Sequence, residues 1–372
     1  MPLRSRRFQL GLALAGLVPA FLVTHLIVGQ YKAQRLRLAR EWSTRGVRDL
    51  ASRPAVAVID FQTALAYGQN RATDRLRLSQ ALIAARRPAE ARAQLLTLWA
   101  DTPSDGEINL RLARLSAASD GLSDAVRYYH AAIDGSWGSG AMSARRQARL
   151  ELARWLLAHG RRLEAQSELV ALIDDLPSDS ALMTEVGGLL ADAGADGQAL
   201  TLLRRALTLD PANAIAARRA GRLAYRAGEY GAARSLFSTA ASHGALDAET
   251  AAMSDVSDRV LGLDPSARGL SARRRAQRVR HALTIAESRF MRCQMHAPVD
   301  GEITAHLNDL RMRLDTVGRL RGAVLQRDPD RRDRVMALVV EIEALPREQC
   351  GDASLDDRAL QLIAEPRRPA AR

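Results

Sequence analysis

Apolar residues fall into three successive patterns along this chain. Near the amino terminus, Phe8–Gly29 is a 22-residue, mainly apolar run with no Asp, Glu, Lys or Arg. At about 1.5 Å per residue a helix of that length crosses a hydrocarbon layer of about 30 Å. Tyr31–Arg48 then follows a helical period, with Leu36, Leu38, Trp42 and Val47 set against six basic residues. Next come paired apolar runs. In Ser180–Asn213, a helix over about Ala181–Asp192 and another over Gly197–Leu209 are separated by Ala193-Gly194 and closed by Asp210-Pro211. After Leu246 the pairs give way to single helices. One is expected over Ala248–Leu263, ending at Asp264-Pro265, and a basic one over Ser271–Cys293 with a stripe of Ala276, Val279, Leu283, Ala286 and Phe290. Ile303–Gln326 reads as another. Asp328-Pro329 opens one through about Leu345 on Val335, Leu338, Val339 and Ile342, and Ser354–Ala364 is the last. With few strand signals, the fold class is all-α.

The paired runs repeat every 34 residues. Gly160, Gly194 and Gly228 share one register. So do Ala165, Ala199 and Ala233; Ala153, Gly187 and Gly221; and Pro177 and Pro211. A fixed 34-residue period of helical pairs with small residues in register resembles the tetratricopeptide repeat (TPR). Glycine and alanine occupy positions where two helices cross. Gly194 stops a first helix, and Pro211 ends a second. The units read as 72–105, 106–139, 146–179, 180–213 and 214–247, with an insertion, Gly140–Arg145, at the end of GSWGSG. Residues 31–71 combine a linker helix with a degenerate first repeat (38–71) that keeps Ala57, Phe61 and Ala64. The family's first-helix Trp is missing, and Leu156, Leu190 and Ala224 stand at its usual Tyr position. Residues 248–365 form a C-terminal helical domain, and 366–372 (PRRPAAR) a disordered tail. The motif LDPSARGLS, Cys293 closing a helix and Cys350-Gly351 before a final LIA helix resemble the tails of uncharacterised bacterial membrane-anchored TPR proteins.

The resemblance implies a curved α-solenoid whose first helices line a concave, peptide-binding groove. Carrying the family's groove positions over selects Arg77, Gln80, Arg111, Arg114, Arg154, Arg218, Arg219 and Arg222, while Thr184, Glu185 and Gly188 make the fourth unit nearly neutral. The Lys/Asn carboxylate-clamp pattern is absent. Planar arginine forks suit carboxylates, so an acidic or C-terminal segment of a protein partner is the expected ligand. The alternative is that these arginines pair with local Asp or Glu.

Composition changes the picture little. Net charge is +12, but Lys32 is the sole lysine among 54 basic residues, which reads as a proteome-wide bias toward arginine rather than a dedicated surface. Aromatics are 4%, too few for base-stacking platforms, so no nucleic acid is expected.

Residues 1–30, with Arg4, Arg6 and Arg7 before the apolar run, are expected to be an uncleaved membrane anchor; a cleaved signal peptide and a buried helix are the alternatives. Basic residues flank both sides, so orientation stays open. An extracytoplasmic array is favoured over a cytoplasmic one. Cys293 and Cys350 are the only cysteines. In an oxidising compartment they are expected to bridge, closing a loop of about 57 residues for roughly 4 kcal/mol; two free thiols are the alternative. Met291, Cys293, Met295 and His296 carry soft-ligand chemistry, but helical spacing separates them, and methionine packing is the simpler reading. No metal, cofactor or catalytic motif is read. The expected role is therefore a membrane-anchored, non-enzymatic scaffold for a protein partner in envelope assembly, secretion or export. The alternatives are a cytoplasmic-side adaptor, an accessory regulator of a membrane enzyme complex, or an activity in the C-terminal domain.

Overall fold

The computed structural model describes residues 3–68, 72–119, 121–296 and 301–365, with side chains from residue 21 onward apart from 296, 301–303 and 349. The expected tail 366–372 lies outside them. The described residues are helical throughout, with one isolated bridge, Asp105 to Ser136, in place of any sheet. The chain divides into two compact units, 1–155 and 156–372. That division falls inside the 146–179 repeat rather than at 247/248.

In the first unit, helix α1 (Leu3–Asp49) runs unbroken from the apolar segment into the first hairpin with α2 (Pro54–Tyr67). Among the described residues no helix is long and apolar enough to cross a membrane. Residues 8–20 of the expected span lie outside the described side chains. In the rest of it Phe21, Leu22, Leu26 and Ile27 are each more than half exposed. The end of α1 leaves Leu36 and Val47 exposed. It buries Ala39, Ser43 and Gly46 instead. The reason is close approach: a Cβ at Gly46 would stand 2.9 Å from the Phe61 ring. Helices α3 (Ala72–Ala84) and α4 (Pro88–Asp101) form the next hairpin, and α5 (Gly106–Ala118) and α6 (Leu122–Asp134) the third. Pro54 and Pro88 occupy first helical positions, where no N–H is needed. The core here is Ala57, Val58, Phe61, Leu78, Leu82 and their neighbours. In GSWGSG, Trp137 folds back over Gly106, where a Cβ would lie 2.3 Å from the indole, and its Nε1 donates to the Ala132 carbonyl at 2.8 Å. Helix α7 (Ala141–Ala158) follows and ends in the second unit.

The second unit continues with α8 (Arg162–Ile173), then the hairpins α9 (Ser180–Asp192)/α10 (Asp196–Leu209) and α11 (Ala214–Arg226)/α12 (Tyr230–Ser242). Gly187 faces Leu203 and Gly221 faces Phe237 so closely that a Cβ would come within 2.8 Å and 2.7 Å. Gly160, Gly194 and Gly228 hold φ of +73°, +89° and +75° at the first helix's end, where a side chain would be strained. A further register was not read from the sequence. Asp105, Asp179, Asn213 and Asp247 each cap a first helix by accepting from its backbone N–H groups. The last three are 34 apart, so α13 (Ala248–Leu263) starts in repeat register as one more first helix.

Its partner is not the next helix in sequence. α13 packs chiefly against α12 and against α19 (Leu355–Ala364), the last helix, after the chain has passed through α14 (Ala272–His296), α15 (Gly301–Gly318), α16 (Gly322–Arg327), α17 (Pro329–Glu343) and α18 (Arg347–Cys350). The single helix expected over Ile303–Gln326 is thus two, broken at residues 319–321. The break lets α16 turn back onto α14 and bury Leu325. Around α14 lies the largest apolar core, with Val279, Leu283, Phe290, Leu338 and Ile342 buried; each such side chain contributes on the order of 1.5–3 kcal/mol of transfer free energy.

Candidate functional site

The first helices of the hairpins carry the arginines picked out from the sequence, and the structure gives them partners on neighbouring first helices. In the first unit, Arg77 of α3 donates to Ser43 of α1 at 2.9 Å and lies 3.8 Å from Asp74. Gln80, with its amide oxygen turned toward α5, accepts from Arg111 at 2.7 Å; Arg111 also pairs with Glu107 at 2.6 Å. Arg114 forks onto Glu151 of α7 at 2.8 Å and 2.7 Å. Burial pushes the Glu151 carboxyl up, but the Arg114 fork, the Gln147 amide and the Arg154 charge act together against it and the net shift is down. Tyr129 beside this pair is pushed up to about 12 by burial, with Glu151 adding to the effect. Arg154 is also engaged and adds to the positive field on Glu151.

In the second unit the corresponding face runs over α9, α11 and α13. Arg218 reaches Asp247 at 3.3 Å and Arg222 reaches Glu249 at 3.1 Å. The Asp247 carboxyl is held below its usual range by the Thr250 N–H and hydroxyl first, and then by the two arginines. Arg219 differs. Its guanidinium lies flat over Gly188 and donates to the Thr184 backbone carbonyl at 2.9 Å. A Cβ at Gly188 would stand 2.0 Å from its Nη1, so the bare glycine makes this pose. Asn213 adds two more links, to the Ser180 and Thr184 hydroxyls. Between these helices a groove of about 400 Å³ stays open, lined by Gly188, Asp192, Arg219, Arg222, Glu249 and Met253 among others. Asp192, Glu249 and Met253 escaped sequence reading. Glu249 and Met253 lie on a helix outside the recognised units.

The face is therefore a ladder of polar links between repeats that also lines a groove. An acidic ligand entering it displaces an internal acid from Arg218 or Arg222, whereas at Arg219 it displaces only a neutral carbonyl. That makes Arg219 the arginine best able to accept a carboxylate from outside.

In the C-terminal helices, Cys293 of α14 and Cys350 of α18 are joined by a disulfide at 2.03 Å, and both are buried. One turn before Cys293 is Arg289, 2% exposed, which donates to the Leu345 carbonyl at 2.9 Å and lies 3.4 Å from Glu343 and 3.8 Å from Asp357. Arg292 donates to Asp357 at 2.5 Å. Burial pushes Glu343 up to about 8, with Asp357 adding to the rise and Arg289 and Arg292 opposing it. Among the described residues no group of His, Cys, Asp or Glu is placed to hold a metal; His296 lies outside the described side chains.

No family model matches the chain, and no curated protein matches it. Solved structures do resemble it. A TPR protein from Cytophaga hutchinsonii aligns over 84% of this chain and 97% of its own at 13% identity and a TM-score of 0.44. Pseudomonas aeruginosa PilF aligns over 51% of this chain and 84% of its own, at 19% identity and 0.36. A TPR protein from Parabacteroides merdae aligns over 59% and 84%, at 17% identity and 0.37. Caps, glycine turns and helix crossings that recur every 34 residues through successive helical hairpins make this array one of TPR-type repeats.

Proposed function

We propose that this chain is a protein-binding scaffold, held at a membrane by its apolar amino terminus, that receives an extended acidic segment of a partner against α9, α11 and α13. The observation that carries the reading is the open groove of about 400 Å³ between these helices, with the Arg219 guanidinium seated over Gly188 at its edge and bonded only to a backbone carbonyl. An extended peptide needs a groove for its backbone and fixed donors for its acids, and both are present here. The exposed run from Phe21 to Val28 supports the anchor, since soluble proteins rarely leave such a patch uncovered. The buried Cys293–Cys350 bond supports an oxidising, extracytoplasmic location over the cytoplasmic alternative.

The test is binding of a fluorescent acidic hexapeptide with a free carboxyl terminus to the full chain in detergent. Arg219→Ala should weaken it about tenfold, the size expected for a lost charge-assisted hydrogen bond. Gly188→Leu should push the Arg219 guanidinium out of its pose and weaken binding as well. Arg218→Gln, which frees Asp247, should have less effect than Arg219→Ala. Peptide binding that ignores both Arg219→Ala and Gly188→Leu would place the partner elsewhere.

A further inference from the structure

Among the described residues many arginines are matched to an acid or a carbonyl, and two that border one cleft on α14 are not. On α14, Arg273, Gln277, Arg280 and Thr284 follow one another at spacings of four, three and four residues, with His281 four after Gln277, so they lie along one side of the helix. That face borders a cleft of about 420 Å³, closed on its other side by Gly322 and Gln326 of α16. No carboxylate lines it. Among the described residues neither Arg273 nor Arg280 makes an ion pair, although Arg275 and Arg278 on the same helix donate to the Leu270 and Asp264 carbonyls. The preceding Arg319 and Arg321 make no ion pair either.

Gly322 supports reading the cleft as a built feature. It opens α16 with ordinary backbone geometry, so the turn itself does not call for glycine. Its bareness gives room: a Cβ there would stand 3.3 Å from Arg280 Nη1 and 3.8 Å from its Cδ. The guanidinium therefore lies against the start of α16 at the border of the cleft. Both side chains are exposed, so water screens their repulsion, and what the cleft offers an anion is two cations with no internal acid to displace.

We propose that this cleft binds a phosphate-bearing group carrying two negative charges. The lining is rich in donors, with two arginine forks and the side-chain amides of Gln277 and Gln326. A single carboxylate satisfies one fork and leaves the other cation uncompensated, whereas a phosphomonoester or diphosphate offers enough oxygens and charge for both. The Cα atoms of Arg273 and Arg280 are two turns, or about 10.5 Å, apart, a separation that two long arginine side chains can span to reach one such group. The same chemistry is offered by a small soluble phosphate compound and by the headgroup of an anionic lipid. The site is separate from the peptide groove, so the failure of either leaves the other standing.

The experiment uses the full chain in detergent. Inorganic pyrophosphate is titrated calorimetrically, and in a second arm the protein is mixed with phosphatidylcholine vesicles with or without a tenth of phosphatidic acid. Saturable pyrophosphate binding points to a soluble ligand. A gain in vesicle binding confined to phosphatidic acid points to a headgroup. In either arm Arg273→Gln with Arg280→Gln should cost roughly tenfold or more in Kd. Gly322→Leu should weaken binding with no change of net charge. Arg311→Gln with Arg334→Gln, which removes the same charge elsewhere, should leave Kd within about twofold. Melting temperatures of all variants are measured to exclude unfolding. No saturable binding in either arm, equal binding of succinate, or equal losses in the two double variants would overturn the proposal.

Discussion

At the scale of single residues, the turn that ends each first helix shows what a 34-residue register asks of a side chain. Gly160, Gly194 and Gly228 take positive φ there. Counting back through the insertion, the same place is filled by Asp120, outside the described residues, and by Arg86. Arg86 is the one described non-glycine residue with positive φ, at +59°. A left-handed conformation costs a residue with a Cβ roughly 1–2 kcal/mol. Arg86→Gly should therefore raise the unfolding free energy by about 1 kcal/mol, read as a higher urea midpoint with an unchanged slope. A midpoint that falls would mean the arginine side chain contributes more than its backbone strain costs. The crossing glycines predict the opposite sign. Phe237 is fully buried against Gly221, with nowhere to move. Gly221→Val should destabilise by roughly 1–3 kcal/mol through overpacking, whereas Gly197→Ala, with open space at its Cβ, should be neutral or stabilising by a few tenths. These glycines were legible in the sequence because small residues recur in register. The role of Arg86 was not, since a bulky charged residue carries no sign of the backbone it sits on.

At the scale of elements, hydrophobic period showed which face of a helix is buried but not what covers it. The stripe on α14 is where the sequence placed it, yet the helix that closes on α13 is α19, about a hundred residues further on in the chain. Charges were legible only as charges. Arg218 meets the cap of α13, and Arg114 meets Glu151 on α7, and neither pairing follows from local spacing. The same holds for the buried set of Arg289, Glu343 and Asp357. Its three members look like ordinary surface residues in the sequence, and only the packing of α14, α17 and α19 brings them together. Glu343 has an ordinary value of 4.5 and is held near 8 by burial, with Asp357 adding to the rise. The folded protein keeps a proton there that the unfolded chain releases above about pH 4.5. Its contribution to stability is therefore present below that pH, is lost progressively as pH rises through about 8, and then levels off. Over that window the loss is on the order of a few kcal/mol. Glu343→Gln keeps the shape and removes the titration. The melting temperature of the unmodified protein should fall by several degrees from about pH 5 to pH 8, and that of the variant should change much less. Parallel curves for the two proteins would show that Glu343 is ionised in the folded state throughout.

At the scale of the whole molecule, the amino-terminal segment decides where everything else can act. Its exposed residues from Phe21 to Val28 continue an apolar run that begins at Phe8, and α1 carries that run without a break into the first hairpin. If the segment lies in a bilayer, the first hairpin begins within two or three helical turns of the membrane surface, and partners must be met there. The full chain should then sediment with membranes and resist extraction by alkaline carbonate, and deletion of residues 2–29 should release it to the supernatant. The disulfide adds a second, independent reading of the same question. In cells quenched with acid and labelled with a mass-tagged maleimide, Cys293 and Cys350 should react only after reduction if the helices lie outside the cytoplasm. Membrane retention with freely reacting thiols would keep the anchor and reverse the topology, moving the search for an acidic partner to the cytoplasmic side. Release by carbonate with protected thiols would instead favour an exported chain whose apolar segment serves as a signal, and the groove would then act away from the membrane.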